Sequence, residues 1–284
     1  MDRSDVPARH KLPLRDELLD LSSPRIMGVL NVTPDSFSDG GTFNEADVAL
    51  DRIAEMISEG ADIIDIGGES TRPGADPVSE RDELDRVIPV MEQAIPAHAG
   101  TFFSIDTTKP RVAEEALKRG AHLVNDVSGL KELRLVDLCV EYNAGYILMH
   151  TQGDPQTMQQ NPEYDEVVND LFLFFKEKIA TANERGLQNI IIDPGIGFGK
   201  TLRHNIDILS GLESFRAFEH PLMIGASRKS MIGEILDGRP VDDRLTGTVV
   251  THYHALMNGA DLIRVHDVKE AYDSVLVYKA LTSG

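Results

Sequence analysis

Eight short apolar runs, spread along almost the whole chain, constrain its fold more than any other feature of the sequence. Each run has the length of a β-strand, and nearly every one is followed by polar residues. Segments with helical periodicity separate the runs, so strands joined through those helices must run parallel. The runs cover residues 26–30, 63–66, 102–105, 122–124, 146–149, 190–192, 222–224 and 262–265.

This alternation predicts an α/β fold, a (β/α)8 TIM barrel in a single domain with long loops after the first and second strands. The C-terminal strand ends of such a barrel converge on one face, which carries the active site. We expect residues 25–284 to form the barrel domain and residues 1–24 a polar N-terminal extension. A doubly wound open sheet is the alternative, but eight runs with polar C-terminal ends favour the barrel.

The composition argues against nucleic-acid and membrane partners. A net charge of −19, with acidic residues spread over helix-like segments, argues against nucleic acid, which needs a basic stripe. The single cysteine, Cys139, lies in a helix-like stretch and is predicted to be a small core residue in a reducing compartment. No signal peptide or membrane span is evident. We therefore expect a cytoplasmic protein with no membrane partner.

The glycine-rich segment 193–201 ends like a phosphate-binding loop but fails both phosphate-loop patterns. Pro194 stands where the first glycine of a Walker A loop belongs, and Lys200 stands where GxGxxG needs its third glycine. The glycines are better suited to let the backbone bend at a strand end and approach a flat ligand.

Three polar residues, Asp106, Asn125 and Asp193, each follow an apolar run. Burying such groups without partners costs about 2–7 kcal/mol apiece. If they converge, they suit a planar heterocycle with adjacent N–H donors, such as a guanidine-like edge, and Lys229 would donate to a ring carbonyl or nitrogen. The alternative is that some only cap the next helix, and for Asp126 we favour that interpretation.

Arg264 and His266 lie two residues apart at the last strand and therefore share one of its faces. Two cationic donors on one face suit a phosphate or diphosphate. Residues 227–230 begin a helix whose free N–H groups would also favour an anion. His252 and His254 are separated by their spacing on a helix, so the sequence contains no convincing zinc site.

Seven motifs together resemble the dihydropteroate synthase family of the folate pathway, over roughly residues 25 to 282. They are GVLNVTPDSFSDGG (28–41), GGESTRPG (67–74), IDT (105–107), VNDV (124–127), DPGIGFGK (193–200), SRKS (227–230) and RVHDV (264–268), of which the first and sixth are the most specific. The resemblance implies a homodimeric transferase and sulfonamide target. Its reaction would join 6-hydroxymethyl-7,8-dihydropterin diphosphate to 4-aminobenzoate, giving 7,8-dihydropteroate and diphosphate with the help of Mg2+.

The resemblance also implies roles for individual residues. The pterin-binding set is Asp106, Asn125, Asp193 and Lys229, with Met149 and Phe198 as apolar walls. The diphosphate contacts are Asn31, Thr71, Arg264 and His266, and Asn31 is also the Mg2+ ligand. The 4-aminobenzoate pocket consists of Phe37, Thr71, Arg72, Pro73 and Ser230. The implied catalytic residues are Asn31, Lys229, Arg264 and His266.

The implied mechanism is dissociative and SN1-like, with diphosphate leaving before the amine attacks and no covalent nucleophile. The chain departs from the family pattern in the loop after the fifth strand. Thr151 stands where the family often has methionine, and Asp154 adds a negative charge.

Three alternatives remain at this stage. A pterin-binding methyltransferase barrel would not need the long first loop or the SRKS helix start. A catalytically silent paralogue should have lost part of a set that this chain keeps complete: Asn31, Arg72, Lys229, Arg264 and His266. A drug-insensitive variant would differ in its loops, whereas Phe37 and residues 71–73 resemble the sensitive pattern.

Overall fold

The computed structural model describes residues 11–33, 42–70, 75–153 and 157–282, and its main feature is a barrel of parallel strands. Two short strands, β1 (Lys11–Leu14) and β2 (Glu17–Asp20), form an antiparallel hairpin before the barrel. The barrel strands are β3 (Arg25–Asn31), β4 (Ile63–Gly67), β5 (Phe102–Asp106), β6 (Leu123–Asp126), β7 (Gly145–Met149), β8 (Ile190–Asp193), β9 (Met223–Ile224) and β10 (Leu262–Val265). Each of the eight predicted runs forms one of these strands.

The sheet closes on itself. Its strands are ordered β8-β7-β6-β5-β4-β3-β10-β9, and every neighbouring pair is parallel. The last gap, between β8 and β9, is closed by a parallel bridge between Ile192 and Leu222. The Ile192 N–H also donates to the Pro221 carbonyl at 2.9 Å. The predicted barrel is confirmed, and the open-sheet alternative was wrong.

Helices connect the strands and form the outer layer. They are α1 (Thr42–Ser58), α2 (Glu80–Ala97), α3 (Pro110–Lys118), α4 (Leu133–Glu141), α5 (Val167–Glu184), α6 (Leu202–Ser210), α7 (Ser230–Ile235), α8 (Leu245–Met257) and α9 (Val268–Thr282). Side chains cap the N-termini of two of these helices: Ser79 caps α2, and Thr201 with His204 forms a capping box at α6. None of the helices in the described ranges is long and apolar enough to cross a membrane.

Side-chain alternation along the strands separates two cores. Outward residues such as Ile26, Ile64 and Val124 pack against the helices. This layer also contains Cys139, which is fully buried, and burial raises the pKa of its thiol. The prediction of a core cysteine is confirmed.

Inward residues at the N-terminal end of the barrel form the second core, which we call the floor. It contains Met27, Ile63, Leu123, Ile147, Ile191, Met223 and Leu262, together with Leu12, Leu14, Leu19 and Leu21 from the hairpin region. The hairpin thus covers the bottom of the barrel with four buried leucines. The sequence of residues 1–24 looks polar because these leucines alternate with exposed residues in very short strands. Whether residues 1–24 form a unit separate from a 25–284 domain stays a prediction.

Candidate active site

Four adjacent strands place their last inward residues in one row at the C-terminal end of the barrel. The strand register pairs Asn31 with Gly67, Gly67 with Asp106, and Asp106 with Asn125. A Cβ atom at Gly67 would lie 3.3 Å from the Asp106 Cβ, so the glycine leaves space for the carboxylate in this row. Across the barrel, Met149 of β7 is in register with Asp193 of β8. The predicted pterin residues of these strands therefore lie at one end of the fold.

Arg264 reaches across the barrel interior from β10 and joins two carboxylates. Its Nε donates to Asp65 Oδ2 at 2.7 Å, and its second terminal nitrogen donates to Asp106 Oδ2 at 2.7 Å. The Asn125 amide donates to Asp65 Oδ2 at 2.9 Å. A guanidinium, two carboxylates and an amide thus form one hydrogen-bonded network, in which the Arg264 side chain keeps 20% of its surface exposed. The pKa of Arg264 is lowered by burial, but the charges of Asp65 and Asp106 outweigh this and raise it.

Asp65 is the functional residue that the sequence analysis missed. It lies inside the apolar run 63–66, whereas most of the predicted site residues lie at or after the ends of such runs. A signal was nevertheless present, because Asp65 and Arg264 are the two charged residues within the eight apolar runs. Two opposite charges placed within buried strands of one barrel predict a buried ion pair. The structure contains that pair.

The network leaves hydrogen-bonding capacity unused. Within the described residues, Asp65 Oδ1 and Asp106 Oδ1 are buried and have no hydrogen-bond partner. Burial raises the pKa of Asp106 to about 8; the Arg264 charge opposes the shift and the Asp65 charge adds to it. A buried acceptor without a partner is costly until a donor reaches it. These oxygens therefore suit a ligand that presents N–H groups.

A second cluster faces this network from β8 and the start of α7. Asp193 Oδ1 accepts a hydrogen bond from the Gly195 N–H at 2.8 Å. The Lys229 ammonium donates to the Ile196 carbonyl and lies 4.6 Å from the centre of the Phe198 ring, a cation–π contact. The structure thus brings Lys229 and Phe198 together, as the sequence analysis expected of a pterin pocket.

Burial and mutual attraction compete in this cluster. Burial lowers the pKa of Lys229 to about 8, although the Asp193 charge raises it. Burial raises the pKa of Asp193, although the charge of Lys229 lowers it. Burial thus makes Asp193 easier to protonate and Lys229 easier to deprotonate than in water. A polar ligand that hydrogen-bonds to their charged forms would offset the cost of burying them.

Lys200 is a further buried residue to which the sequence analysis gave no role beyond the rejected phosphate loop. Its ammonium contacts His150 Nδ1 at 2.9 Å and donates to the Phe198 carbonyl at 3.0 Å. Burial, reinforced by the Lys200 charge, lowers the pKa of His150 to about 2, so His150 is a neutral acceptor. Gly195, with φ +68°, would place a Cβ 1.9 Å from the His150 carbonyl oxygen. Lys200 therefore joins the loops after β7 and β8, and Gly195 allows the two loops to approach each other closely.

His266 and Ser230 lie at the rim of the barrel. Strand β10 ends at Val265, and the ring of His266 contacts Ser227 Oγ through Nδ1 at 3.0 Å. Ser230 is exposed at the start of the short helix α7. Arg264 thus lies inside the barrel while His266 lies above it. Phe37, Thr71, Arg72, Pro73 and Asp154 lie outside the described residues, and Thr151 is partly buried.

The interpretation of Asp126 as a helix cap was wrong. Its carboxylate accepts from the backbone N–H groups of Ser128 and Leu130 at 2.8 and 3.0 Å, and from the Tyr146 hydroxyl. The residue that caps α4 is Glu132. Asp126 instead holds the turn after β6, because that turn brings two N–H groups to it before the helix begins.

Comparison with known proteins agrees with this geometry. A family model described as "Pterin binding enzyme" matches residues 27–266. The chain belongs to this family. Dihydropteroate synthase of Escherichia coli strain K12 is 47% identical over 275 residues, which cover 96% of this chain and 97% of that protein. The predicted family resemblance is confirmed.

Solved structures of the family share the fold. A Yersinia pestis dihydropteroate synthase in complex with a sulfonamide drug superposes with a TM-score of 0.90 at 45% identity, covering 96% of this chain and 100% of that one. The Xanthomonas albilineans enzyme with 4-aminobenzoic acid gives a TM-score of 0.91 at 38% identity, covering 97% and 99%. The roles of the individual site residues in this chain stay predictions.

Proposed function

We propose that this protein condenses 6-hydroxymethyl-7,8-dihydropterin diphosphate with 4-aminobenzoate to give 7,8-dihydropteroate and diphosphate. The observation that carries the proposal is the buried network of Asp65, Asp106, Asn125 and Arg264, which faces Asp193 and Lys229 across the top of the barrel. The synthases that resemble the chain over nearly its full length support the same reaction.

The dihydropterin ring fits the chemistry of this pocket. One edge of the ring carries an amino group and a ring N–H next to a carbonyl, which is a guanidine-like pattern of donors beside an acceptor. The Asp106 and Asp193 carboxylates would accept from those donors, and Lys229 would donate to the carbonyl. Met149 and Phe198 would contact the two faces of the ring. The unpartnered Asp106 Oδ1 supports this orientation.

The reaction needs no covalent nucleophile in this proposal. The bond between the exocyclic carbon and the diphosphate oxygen breaks, and its electron pair leaves with diphosphate. The pterin ring delocalises the resulting cation, and the buried carboxylates favour that positive charge. The amine of 4-aminobenzoate then forms the new C–N bond and releases its proton. Arg264 and His266 would stabilise the negative charge of the leaving group.

Asn31 is the residue that would hold Mg2+ beside the diphosphate. The described residues contain no group of three acidic, histidine or cysteine side chains that could hold a metal on their own. Mg2+ keeps several waters and takes few protein ligands beside substrate phosphates, so the single amide oxygen of Asn31 suits it. Asn31 lies partly buried at the end of β3. The ion would neutralise charge on the diphosphate, while Asn31 orients it.

The second substrate would bind at the rim, between Ser230 and the loops after β3 and β4. Phe37, Thr71, Arg72 and Pro73 are the loop residues proposed to form this pocket, and Thr71 would also contact diphosphate. The related structures with 4-aminobenzoic acid and with a sulfonamide drug support a shared pocket for substrate and drug. We expect a sulfonamide to compete with 4-aminobenzoate.

We also propose that the protein works as a homodimer in the cytoplasm. Helices α8 and α9 pack together through Tyr253 and Tyr278 and expose several large apolar side chains. They are Val250, Met257, Leu276, Val277 and Leu281, with exposed fractions of 47–70%. Large apolar side chains exposed on two neighbouring helices support an interaction site there. Val250→Glu should shift sedimentation toward the monomer, whereas Leu173→Glu on α5, where Leu173 is 55% exposed against 62% for Val250, should not. Unchanged sedimentation of the first variant would contradict the dimer assignment.

The decisive experiment measures diphosphate release and dihydropteroate formation with both substrates and Mg2+, and repeats the assay without 4-aminobenzoate. Product that requires both substrates supports the proposal. A Lys229→Ala variant, checked for folding, serves as the control for contaminating activity and should bind the pterin poorly. Absence of product from folded wild-type protein would favour the silent-paralogue alternative. Methyl transfer from a methylated pterin would favour the methyltransferase.

A further inference from the structure

Two residues adjoin the proposed site residues in the sequence and bind each other above the barrel. Arg228 precedes Lys229, and Asp267 follows His266. The Arg228 Nε donates to Asp267 Oδ2 at 2.9 Å, and a terminal nitrogen donates to Oδ1. Such a two-point contact fixes the relative orientation of the groups as well as their distance.

The backbone at Arg228 is held in an unusual conformation. Its φ is +58°, in the left-handed region that non-glycine residues adopt at a cost of about 1–3 kcal/mol. Contacts on both sides compensate: the Arg228 N–H donates to Thr248 Oγ1 and its carbonyl accepts from Arg244, each at 3.0 Å. This turn directs the Lys229 side chain inward to Phe198. A strained turn that neighbouring residues enforce is typical of functional positions.

At the other end of the ion pair, Asp267 directly follows His266, whose backbone and ring are held by two further residues. Ser227 Oγ contacts both the N–H and the ring of His266, at 3.2 and 3.0 Å. Arg52 of α1 donates to the His266 carbonyl at 3.1 Å. The loops after β9 and β10 are therefore joined by two successive contacts, Ser227 with His266 and Arg228 with Asp267. The first contact is made by a single hydroxyl group. The second is a charged contact through two atoms on each side, which constrains the relative orientation of the two loops.

We propose that the Arg228–Asp267 pair is a positioning device that fixes Lys229 and His266 relative to each other. The inference rests on the proposed function, in which Lys229 holds the pterin and His266 the diphosphate. The bond that breaks lies between those two groups. A displacement of about 1 Å between them would leave both substrate ends bound but misaligned, and such a displacement can cost on the order of 100-fold in rate.

The chain contains a matched control for this pair. Arg185 binds Asp137 through Nε and a terminal nitrogen, at 2.7 Å each. The two arginines have the same exposed side-chain fraction, 37%. The control pair joins α4 to the C-terminal end of α5, in the outer helix layer. It reports what the loss of an equivalent ion pair does to the protein as a whole.

The test compares Arg228→Gln, Asp267→Asn and their double variant with Arg185→Gln, Asp137→Asn and theirs. For each protein we would measure melting temperature, pterin diphosphate affinity by calorimetry, and kcat with the KM of each substrate. We expect each variant of the Arg228 pair to lose about 100-fold in kcat while the KM for 4-aminobenzoate stays within about threefold. The double variant should be no worse than either single variant, because both remove the same contact. The control variants should keep kcat within about twofold.

A conservative variant separates positioning from folding. Arg228→Lys keeps the positive charge but loses the two-point contact, so it should restore the melting temperature and recover kcat only in part. If the Arg228 variants lose no more kcat than the control variants, the proposal is wrong. It is equally wrong if kcat falls only in proportion to the unfolded fraction. An inactive wild-type protein would instead overturn the proposed function itself, which keeps the two failures distinguishable.

Discussion

The barrel interior has two layers that are built by the same strands: the floor is apolar, whereas the top layer is mostly polar and charged. Seven barrel strands contribute apolar inward residues to the floor, and in five of them the inward residue two positions further along belongs to the candidate site. The pairs are Ile63 and Asp65, Leu123 and Asn125, Ile147 and Met149, Ile191 and Asp193, and Leu262 and Arg264. Because side chains two residues apart on a strand point to the same face, both members of each pair point into the barrel.

The two layers differ in whether their buried groups all find partners within the protein. The floor is closed by the leucines of the β1–β2 hairpin, and apolar burial there contributes about 25 cal/mol per Å2 without any directional requirement. The top layer buries charges, and the unpartnered Asp65 Oδ1 and Asp106 Oδ1 leave it incomplete without a ligand. The floor therefore stabilises the fold, whereas the top layer reduces stability and prepares the site for binding. Substitutions in the two layers should consequently affect different measurements.

The largest effect is expected in the top layer, at Arg264. Arg264→Ala removes the cation that holds Asp65 and Asp106 together and that would stabilise the departing diphosphate. We expect kcat/KM to fall about 1,000-fold, equivalent to roughly 4 kcal/mol of transition-state stabilisation. Steady-state diphosphate release checks this expectation.

Arg264→Lys is the control for the Arg264 prediction. It keeps the charge but cannot bind both carboxylates in the same way, so its activity should lie between those of the wild type and Arg264→Ala. Near-normal turnover of Arg264→Ala would refute the assignment of Arg264 to the leaving group.

The opposite result is expected in the floor. Leu14 is fully buried there, and Leu14→Ala should lower the free energy of unfolding by about 3 kcal/mol, measured by urea titration. The kcat of the folded variant should stay within about twofold of the wild type, since no top-layer contact changes. Leu18 lies in the same hairpin and is 52% exposed, so Leu18→Ala should cost less than about 0.5 kcal/mol. A large loss of kcat in folded Leu14→Ala would show that the two layers are not independent.

The sequence predicted the strands and most of the top layer because both depend on local pattern. Asp106, Asn125 and Asp193 mark the ends of apolar runs, and the barrel topology brings such ends together. Asp65 was missed because its role depends on Arg264, a residue 199 positions away. For residues 1–24 the sequence left open whether they are disordered or cover the bottom of the barrel, because the leucines of the hairpin have no visible partner until the barrel closes above them.

The third prediction concerns the pH dependence of the free energy of unfolding, to which the buried Asp106 contributes. Asp106 has a pKa raised to about 8 by burial, so the folded protein holds its proton more tightly than the unfolded chain does. Between about pH 4 and pH 8 this group therefore makes the free energy of unfolding fall as pH rises, by at most about 1.4 kcal/mol per pH unit. Asp106→Asn cannot ionise, so its stability advantage over the wild type should grow from pH 5 to pH 8 in urea titrations.

Asp137→Asn provides a control of opposite sign for that prediction. The hydrogen bond from Arg185 lowers the pKa of Asp137, so its contribution to stability is already complete at pH 5. The variant should be less stable than the wild type by an amount that does not change between pH 5 and pH 8. If the difference in free energy of unfolding between Asp106→Asn and the wild type is also constant between pH 5 and pH 8, the pKa of Asp106 is not raised in the folded protein.

The smallest expected effect is the pH dependence of pterin binding through Lys229. Burial lowers the pKa of this lysine to about 8, so between pH 7.5 and pH 9 it loses most of its positive charge. If the charged ammonium is the donor to the pterin carbonyl, affinity should fall by up to about eightfold over that range, measured by calorimetry. Lys229→Arg keeps its charge and should lack this decline, while ionisation of the ligand or of Asp106, whose pKa is also about 8, affects both proteins alike. A wild-type affinity that declines no more than that of Lys229→Arg would mean that binding does not depend on the charge of Lys229, and the top layer would then recognise the pterin through Asp106, Asn125 and Asp193.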